Sequence, residues 1–183
     1  MPKSELTKEL EYEIWRVTHK QGVFCCYEVT IGWFGDQRVD YLTYDTKGIF
    51  RCYEIKVSKS DFHSKSHVTF VGHYNYYVMP QELYDQVKDE IPAHIGVYVG
   101  GSCVKKAKKQ PLKVDEQVLK DSLIRSLSRE VEKHIKSRSP HLIDNLERQI
   151  SYERRRADNA WNRYWELCDK LREKFGSGWQ DKL

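Results

Sequence analysis

The feature that most constrains this chain is a change of periodicity near Pro111. Upstream, short β-branched and aromatic runs are punctuated by glycine-containing turns, the texture of a sheet. Downstream, two long segments are charged, poor in glycine and proline, and spaced like helices. The change predicts two parts: a sheet-based body over residues 1–113 and a helical extension over 114–183.

Within the body, Leu6, Leu10, Ile14 and Val17 mark one face of an amphipathic helix over 4–20, with Ser4 as its N-cap. Residues 23–31 read as a strand, the Gly32-Trp33-Phe34-Gly35-Asp36 stretch as a turn, and strands follow near 38–44 and 49–57. A short helix begins around Asp61, placed to be its N-cap. A strand over 74–79 stops at Pro80, 81–89 is helical, and 95–99 is the last strand. This order belongs to an α/β (α+β) domain built on a central sheet.

In the extension, helices are predicted over 115–137 and 141–175, separated by Ser139-Pro140. Ile143, Ile150, Ala157, Tyr164 and Leu171 recur every seven residues, with Leu146, Ala160 and Leu167 in the accompanying row. Glu153 and Lys174 interrupt that row. A helical hairpin or a homodimeric coiled coil through 141–175 fits this spacing.

Charge is distributed unevenly. The whole chain carries 31 Lys and Arg against 27 Asp and Glu, a net +4. Residues 1–104 hold 11 basic and 14 acidic side chains, and then Lys105, Lys106, Lys108, Lys109 and Lys113 crowd into nine residues. An acidic body beside a lysine-dense strip is an arrangement that would set a carboxylate site next to a phosphate-binding surface. Five cysteines, two of them adjacent and none in a Cys-x-x-Cys spacing, point away from a disulfide framework or a zinc site. No apolar run approaches the roughly 20 residues of a membrane span, and residues 1–5 lack the apolar core of a secretory signal. The expected location is cytoplasmic, with no membrane partner.

The segment from Arg38 to Asp61 carries the chemistry. If Thr46, Lys47 and Gly48 form a three-residue hairpin loop, Asp45 faces Ile49, and the register sets Asp40 opposite Glu54 and Arg38 opposite Lys56. Cross-strand neighbours are about 5 Å apart at Cβ. Glu54 and Lys56, two residues apart, share a face. Two carboxylates and one amine therefore converge. Like charges this close are unfavourable, and a divalent cation reverses the sign of the interaction. A solvated surface hairpin is the ordinary alternative.

Asp40 followed by Glu54-Ile55-Lys56 on consecutive strands, between a helix and a helix–strand pair, resembles the PD-(D/E)xK nuclease superfamily, and within it the MmcB-type DNA-repair endonucleases. The resemblance spans about residues 5–110 and rests on Arg38-Val39-Asp40, Tyr53–Ser58, Asp61-Phe62 and Tyr74–Pro80. Val39 stands where the superfamily's name-giving proline would be. The resemblance implies a restriction-endonuclease-like mixed sheet flanked by helices. It implies Asp40, Glu54 and the Ile55 carbonyl as ligands of Mg²⁺, with Mn²⁺ as a substitute, and Lys56 acting on the attacking water. DNA is the implied substrate, with RNA also open.

The superfamily commonly adds an acidic residue from the first helix. Glu13 lies between Leu10 and Val17 on the apolar face, an expensive place for an unpaired carboxylate, with Glu9 at the edge and Glu11 pointing away. Glu13 is thus the expected third catalytic and metal-binding carboxylate. Lys59 and Lys65, near His63 and His67, join Lys105, Lys106, Lys108 and Lys109 as expected nucleic-acid contacts. A second reading keeps the fold as a catalytically silent binding module acting through its helical extension.

Overall fold

The computed structural model describes residues 3–33, 35, 37–64, 68–138 and 140–176. The first helix, α1 (Glu5–Thr18), starts where Ser4 Oγ accepts the Thr7 N–H at 3.1 Å. Its Leu10 and Ile14 are buried against the sheet. Strands β1 (Val23–Thr30), β2 (Arg38–Asp45) and β3 (Phe50–Ile55) form an antiparallel meander. A short helix α2 (Lys59–Phe62) leads to β4 (Tyr74–Met79), and α3 (Gln81–Val87) leads to β5 (Gly96–Val99). β3, β4 and β5 run parallel, and β6 (Ser102–Lys105) returns antiparallel to β5. The six strands lie in the order β1-β2-β3-β4-β5-β6, a mixed sheet with helices on its faces, as the α/β pattern predicted.

The hairpin between β2 and β3 closes as the loop length required. Asp45 N–H donates to the Ile49 carbonyl at 3.1 Å, and Gly48 N–H donates back to the Asp45 carbonyl at 2.9 Å. Gly48 takes φ +78°, the left-handed position that favours glycine. The Asp45 carboxylate holds the turn by accepting the Lys47 and Ile49 N–H groups.

Each sheet face has its own core. Leu10, Ile14, Tyr41, Tyr53, Ile55 and Val78 pack on the α1 side. Along this face the rings of Tyr27, Tyr41, Tyr53, Tyr76 and Tyr98, one from each of β1 to β5, stand next to one another at 4.6, 5.4, 5.3 and 5.2 Å between centroids. Cys26, Val29, Val39, Phe50 and Cys52 form the opposite face and are covered by Leu119 and Leu123. Leu83, Val87, Ile91 and Ile95 make a third cluster beneath β4 and β5.

Two long helices end the chain, α4 (Glu116–Ser137) and α5 (Pro140–Phe175). The expected boundary at residue 113 is corrected: the first compact unit extends to Glu130, and the second begins at Val131. The reason is the spacing of Leu119, Ser122, Leu123 and Ser126, four buried positions at i, i+3, i+4 and i+7 within an otherwise charged segment. α4 is also tied down by polar contacts. Arg125 donates to the Thr30 and Gly32 carbonyls at 2.7 Å each, and Gly32 N–H donates to Ser122 Oγ at 2.9 Å. β6 was not expected. It has four residues, three of them exposed, and merged in the sequence with the start of the lysine strip. Among the described residues, no helix is long and apolar enough to cross a membrane.

Candidate functional site

The site grows from a break in strand alternation. Residues two apart on a strand share a face, yet Tyr27 and Tyr41 pack on the α1 side while Val29 and Val39 pack on the α4 side. The break falls at Glu28, whose φ of 52° makes it the described non-glycine residue in the left-handed region. Such a conformation costs on the order of 1–2 kcal/mol. Arg129 of α4 holds it by donating to the Glu28 carbonyl at 3.1 Å. Ladder pairing passes from Tyr27↔Tyr41 to Val29↔Val39, so Glu28 and Asp40 face each other across the interruption.

On the other side of β2, pairing runs from Tyr44↔Phe50 to Tyr41↔Tyr53, and the next step sets Asp40 beside Glu54. This is the predicted register. Ile55 N–H donates to Asp40 Oδ2 at 2.9 Å, fixing the carboxylate at the strand end. Glu54 is 4% exposed and accepts the Thr69 N–H at 3.3 Å. Lys56 is 5% exposed, and its backbone N–H continues the parallel ladder to the Val78 carbonyl.

Burial dominates the electrostatics of this pair. Desolvation, then the neighbouring Asp40 charge, push the Glu54 carboxyl up to about 8, against the opposing pull of the Thr69 N–H and Lys56. Asp40 is raised as well by desolvation, partly offset by the Ile55 N–H and the Lys56 ammonium.

These groups open into a cavity of about 590 Å³ whose lining also includes Glu11, Glu28, Arg38, Ile55, Lys56 and Asp61. Lys3 bridges Glu11 and Glu28, at 2.7 Å from the latter, and Arg38 adds a contact to Glu28 at 3.3 Å. The hydrogen bond from Lys3 holds Glu28 below the usual glutamate range. Lys56 Nζ lies 3.6 Å from Asp61 Oδ1, while Asp61 Oδ2 accepts the Val57 N–H.

Several expected positions are corrected by this geometry. Glu13 does not line the cavity; its carboxylate lies against Gly100, where an added Cβ would sit 2.4 Å from Oε2. The helix carboxylate brought to the cavity is Glu11. The apolar stripe was centred correctly on Leu10 and Ile14, but both of its flanks meet the sheet, and only the tertiary crossing decides which flank reaches β1. Asp61 is not the N-cap of α2: Ser58 is, accepting the Asp61 N–H at 3.1 Å. The signal for this was present in Ser58, three residues before Asp61.

The lysine strip is also displaced from the acidic pair. Lys108 N–H donates to the His94 carbonyl and Gln110 N–H to the His73 carbonyl, so this stretch crosses the N-terminal ends of β5 and β4. Glu54 and Lys56 lie at the opposite, C-terminal end of the parallel strands, about 17 Å away along β4. Lys106, Lys108 and Lys109 are exposed there, whereas Lys105 donates to the Ile91 and Pro92 carbonyls. Lys59 is exposed at the start of α2, and Lys65 lies outside the described residues. Trp33 is 75% exposed, with the Arg125 guanidinium of α4 5.0 Å from its ring centre.

The Asp40 and Glu54 pair, with the Ile55 carbonyl beside it, has the chemistry of a hard-cation site. Mg²⁺ is typically held by one or two carboxylates with water and phosphate oxygens completing its shell. Among the described residues, no group of three or more His, Cys, Asp or Glu is placed to hold a metal ion, so the set here is the pair alone.

No family model matches the sequence, and no curated protein matches it. Among solved structures, the fold is similar to that of a protein of unknown function from Silicibacter pomeroyi. That likeness covers 76% of this chain and 96% of the other, at 18% identity and a TM-score of 0.57. At such identity the likeness is one of fold.

Proposed function

We propose that this protein is a Mg²⁺-dependent nuclease that hydrolyses DNA phosphodiester bonds, with Mn²⁺ as a substitute cation. The observation that supports the reading is the adjacency of Asp40 and Glu54 beside the buried ammonium of Lys56. Asp40, Glu54 and the Ile55 carbonyl would hold the cation. When bound, it would neutralise charge on the phosphate and favour ionisation of a water.

The chain's own groups account for the rest. Lys56, oriented by Asp61 at 3.6 Å, presents a cation where negative charge develops on phosphorus. Arg38 at the cavity edge and Lys59 on α2 offer exposed cations for flanking phosphates. A substrate of this kind places the protein in the cytoplasm with the nucleoid.

The test incubates the purified chain with single-stranded, duplex and branched DNA, and with RNA, in Mg²⁺ or Mn²⁺. Cleavage of DNA is expected, lost by at least about a hundredfold in Glu54→Ala and Lys56→Ala variants that keep the native near-ultraviolet circular dichroism. An inert wild type, or variants that cut undiminished, would refute the assignment. Cleavage of RNA alone would move the substrate class.

A further inference from the structure

α5 runs for 36 residues, about 54 Å at the helical rise. Its large apolar side chains stand in solvent: Ile143, Leu146, Ile150, Tyr164 and Leu167 are each between 47% and 56% exposed. A long helix that exposes such a seam holds its shape by covering it.

The seam has the grammar of a two-stranded coil. Ile143 and Ile150 occupy the first core position of successive heptads, and Leu146 and Leu167 the second. Isoleucine at the first with leucine at the second, as in the Ile143–Leu146 heptad, is the combination that favours two strands in a parallel coil. Gln149, Ile150, Glu153, Arg154 and Ala157 surround a shallow depression along the helix. Ile150, Glu153, Arg154 and Ala157, at i, i+3, i+4 and i+7, are the four residues of a hole that receives one knob from a facing parallel helix.

In register, that knob is Glu153 of the second copy, and the wall of the hole carries Arg154. Across the axis the acid also meets its twin, Glu153 of the first copy, so Arg154 of each chain is the base that offsets this like-charge pair, twice by the twofold symmetry. Slipped by one heptad, the same acid would enter a hole of Ala157, Ala160, Trp161 and Tyr164, which holds no cation. The flanking positions agree: a parallel pair sets Gln149 near Arg154 and Arg156 near Trp161, with no like charges and a cation–π contact. A fully overlapped antiparallel pair brings Arg156 to Arg163 instead. The five half-exposed side chains at about 100 Å² each would bury on the order of 1,000 Å² over two copies, the threshold of a specific interface.

We propose that α5 is a parallel, in-register dimerisation element whose partner is a second copy of this chain, with Glu153 and Arg154 setting the register. The proposal stands independently of the nuclease reading.

Light scattering of the full chain at tens of micromolar should give twice the 21.8 kDa chain mass. Ile150→Lys, at a position 53% exposed, should give the single-chain mass while the first unit keeps its thermal unfolding midpoint. Arg154→Glu should weaken association about tenfold or more, since it sets acid against acid, and Glu153→Lys combined with Arg154→Glu should restore it. In a Cys103→Ser background, which removes the exposed native thiol, Leu146→Cys should form an interchain disulfide on oxidation that the background alone does not, because this position meets its own copy only in a parallel pair. A monomeric wild type, a dimer that survives Ile150→Lys, a double variant no tighter than Arg154→Glu, or the absence of the Leu146→Cys crosslink would overturn the proposal.

Discussion

Replacing Glu54 by glutamine removes a titration that the fold resists. In the folded chain this carboxyl is raised to about 8 by burial and by Asp40, whereas an accessible glutamate titrates at 4.5. Between those two values the folded state keeps a proton that the unfolded state has released. Stability therefore falls as pH rises through this window, and the loss is complete above about 8. At about 1.4 kcal/mol per pH unit, the full span corresponds to on the order of 4–5 kcal/mol. Glu54→Gln keeps an oxygen for the Thr69 N–H and carries no charge. The variant should match wild type near pH 5 and exceed it by about 2–4 kcal/mol at pH 9, the lower end allowing for relaxation around the charged form. Urea denaturation from pH 5 to 9 in the presence of a chelator measures this directly. Mg²⁺ should then flatten the wild-type profile and leave the variant's unchanged, since a cation at the pair favours the ionised form. Parallel pH profiles for the two proteins would refute the account of Glu54 as a buried, mutually repelled carboxylate.

Leu119→Ala should destabilise the first unit by about 2–5 kcal/mol, whereas Ile124→Ala, at a position 63% exposed, should stay within about 0.5 kcal/mol; equal effects in thermal denaturation would remove α4 from the core. Gly48→Ala meets no atom within 4 Å, so its cost should be purely conformational, about 1 kcal/mol from φ +78°; a loss above about 3 kcal/mol would mean that the loop packs against something else.

The sequence was most legible where local chemistry sets geometry. Loop length and Gly48 determine the hairpin, and the hairpin alone determines that Asp40 meets Glu54. Legibility failed where a position depends on how elements cross. The choice between Glu11 and Glu13 turns on the direction of α1 over the sheet, and neither residue's neighbours in sequence encode it. Glu28 is hidden for a related reason: its role follows from a left-handed backbone that Arg129, a hundred residues downstream, helps to hold. The lysine strip looked adjacent to the acidic body because chain proximity was mistaken for spatial proximity. Parallel strands carry their two ends far apart, and the strip joined the wrong end. The domain boundary slipped because four small or apolar residues of α4 were masked by their charged neighbours.

The row of five tyrosines across β1 to β5 has an optical consequence. Because each strand contributes one ring, neighbouring transition dipoles couple only when the sheet is assembled. Burial raises the phenols of all five, so they stay neutral well into alkaline solution. Trp161 and Trp165, by contrast, lie exposed on α5 and absorb to longer wavelength. Trp15 and Trp33 of the first unit absorb in that same band, so the coupled tyrosine row, and not tryptophan, is the label-free report on the assembled sheet.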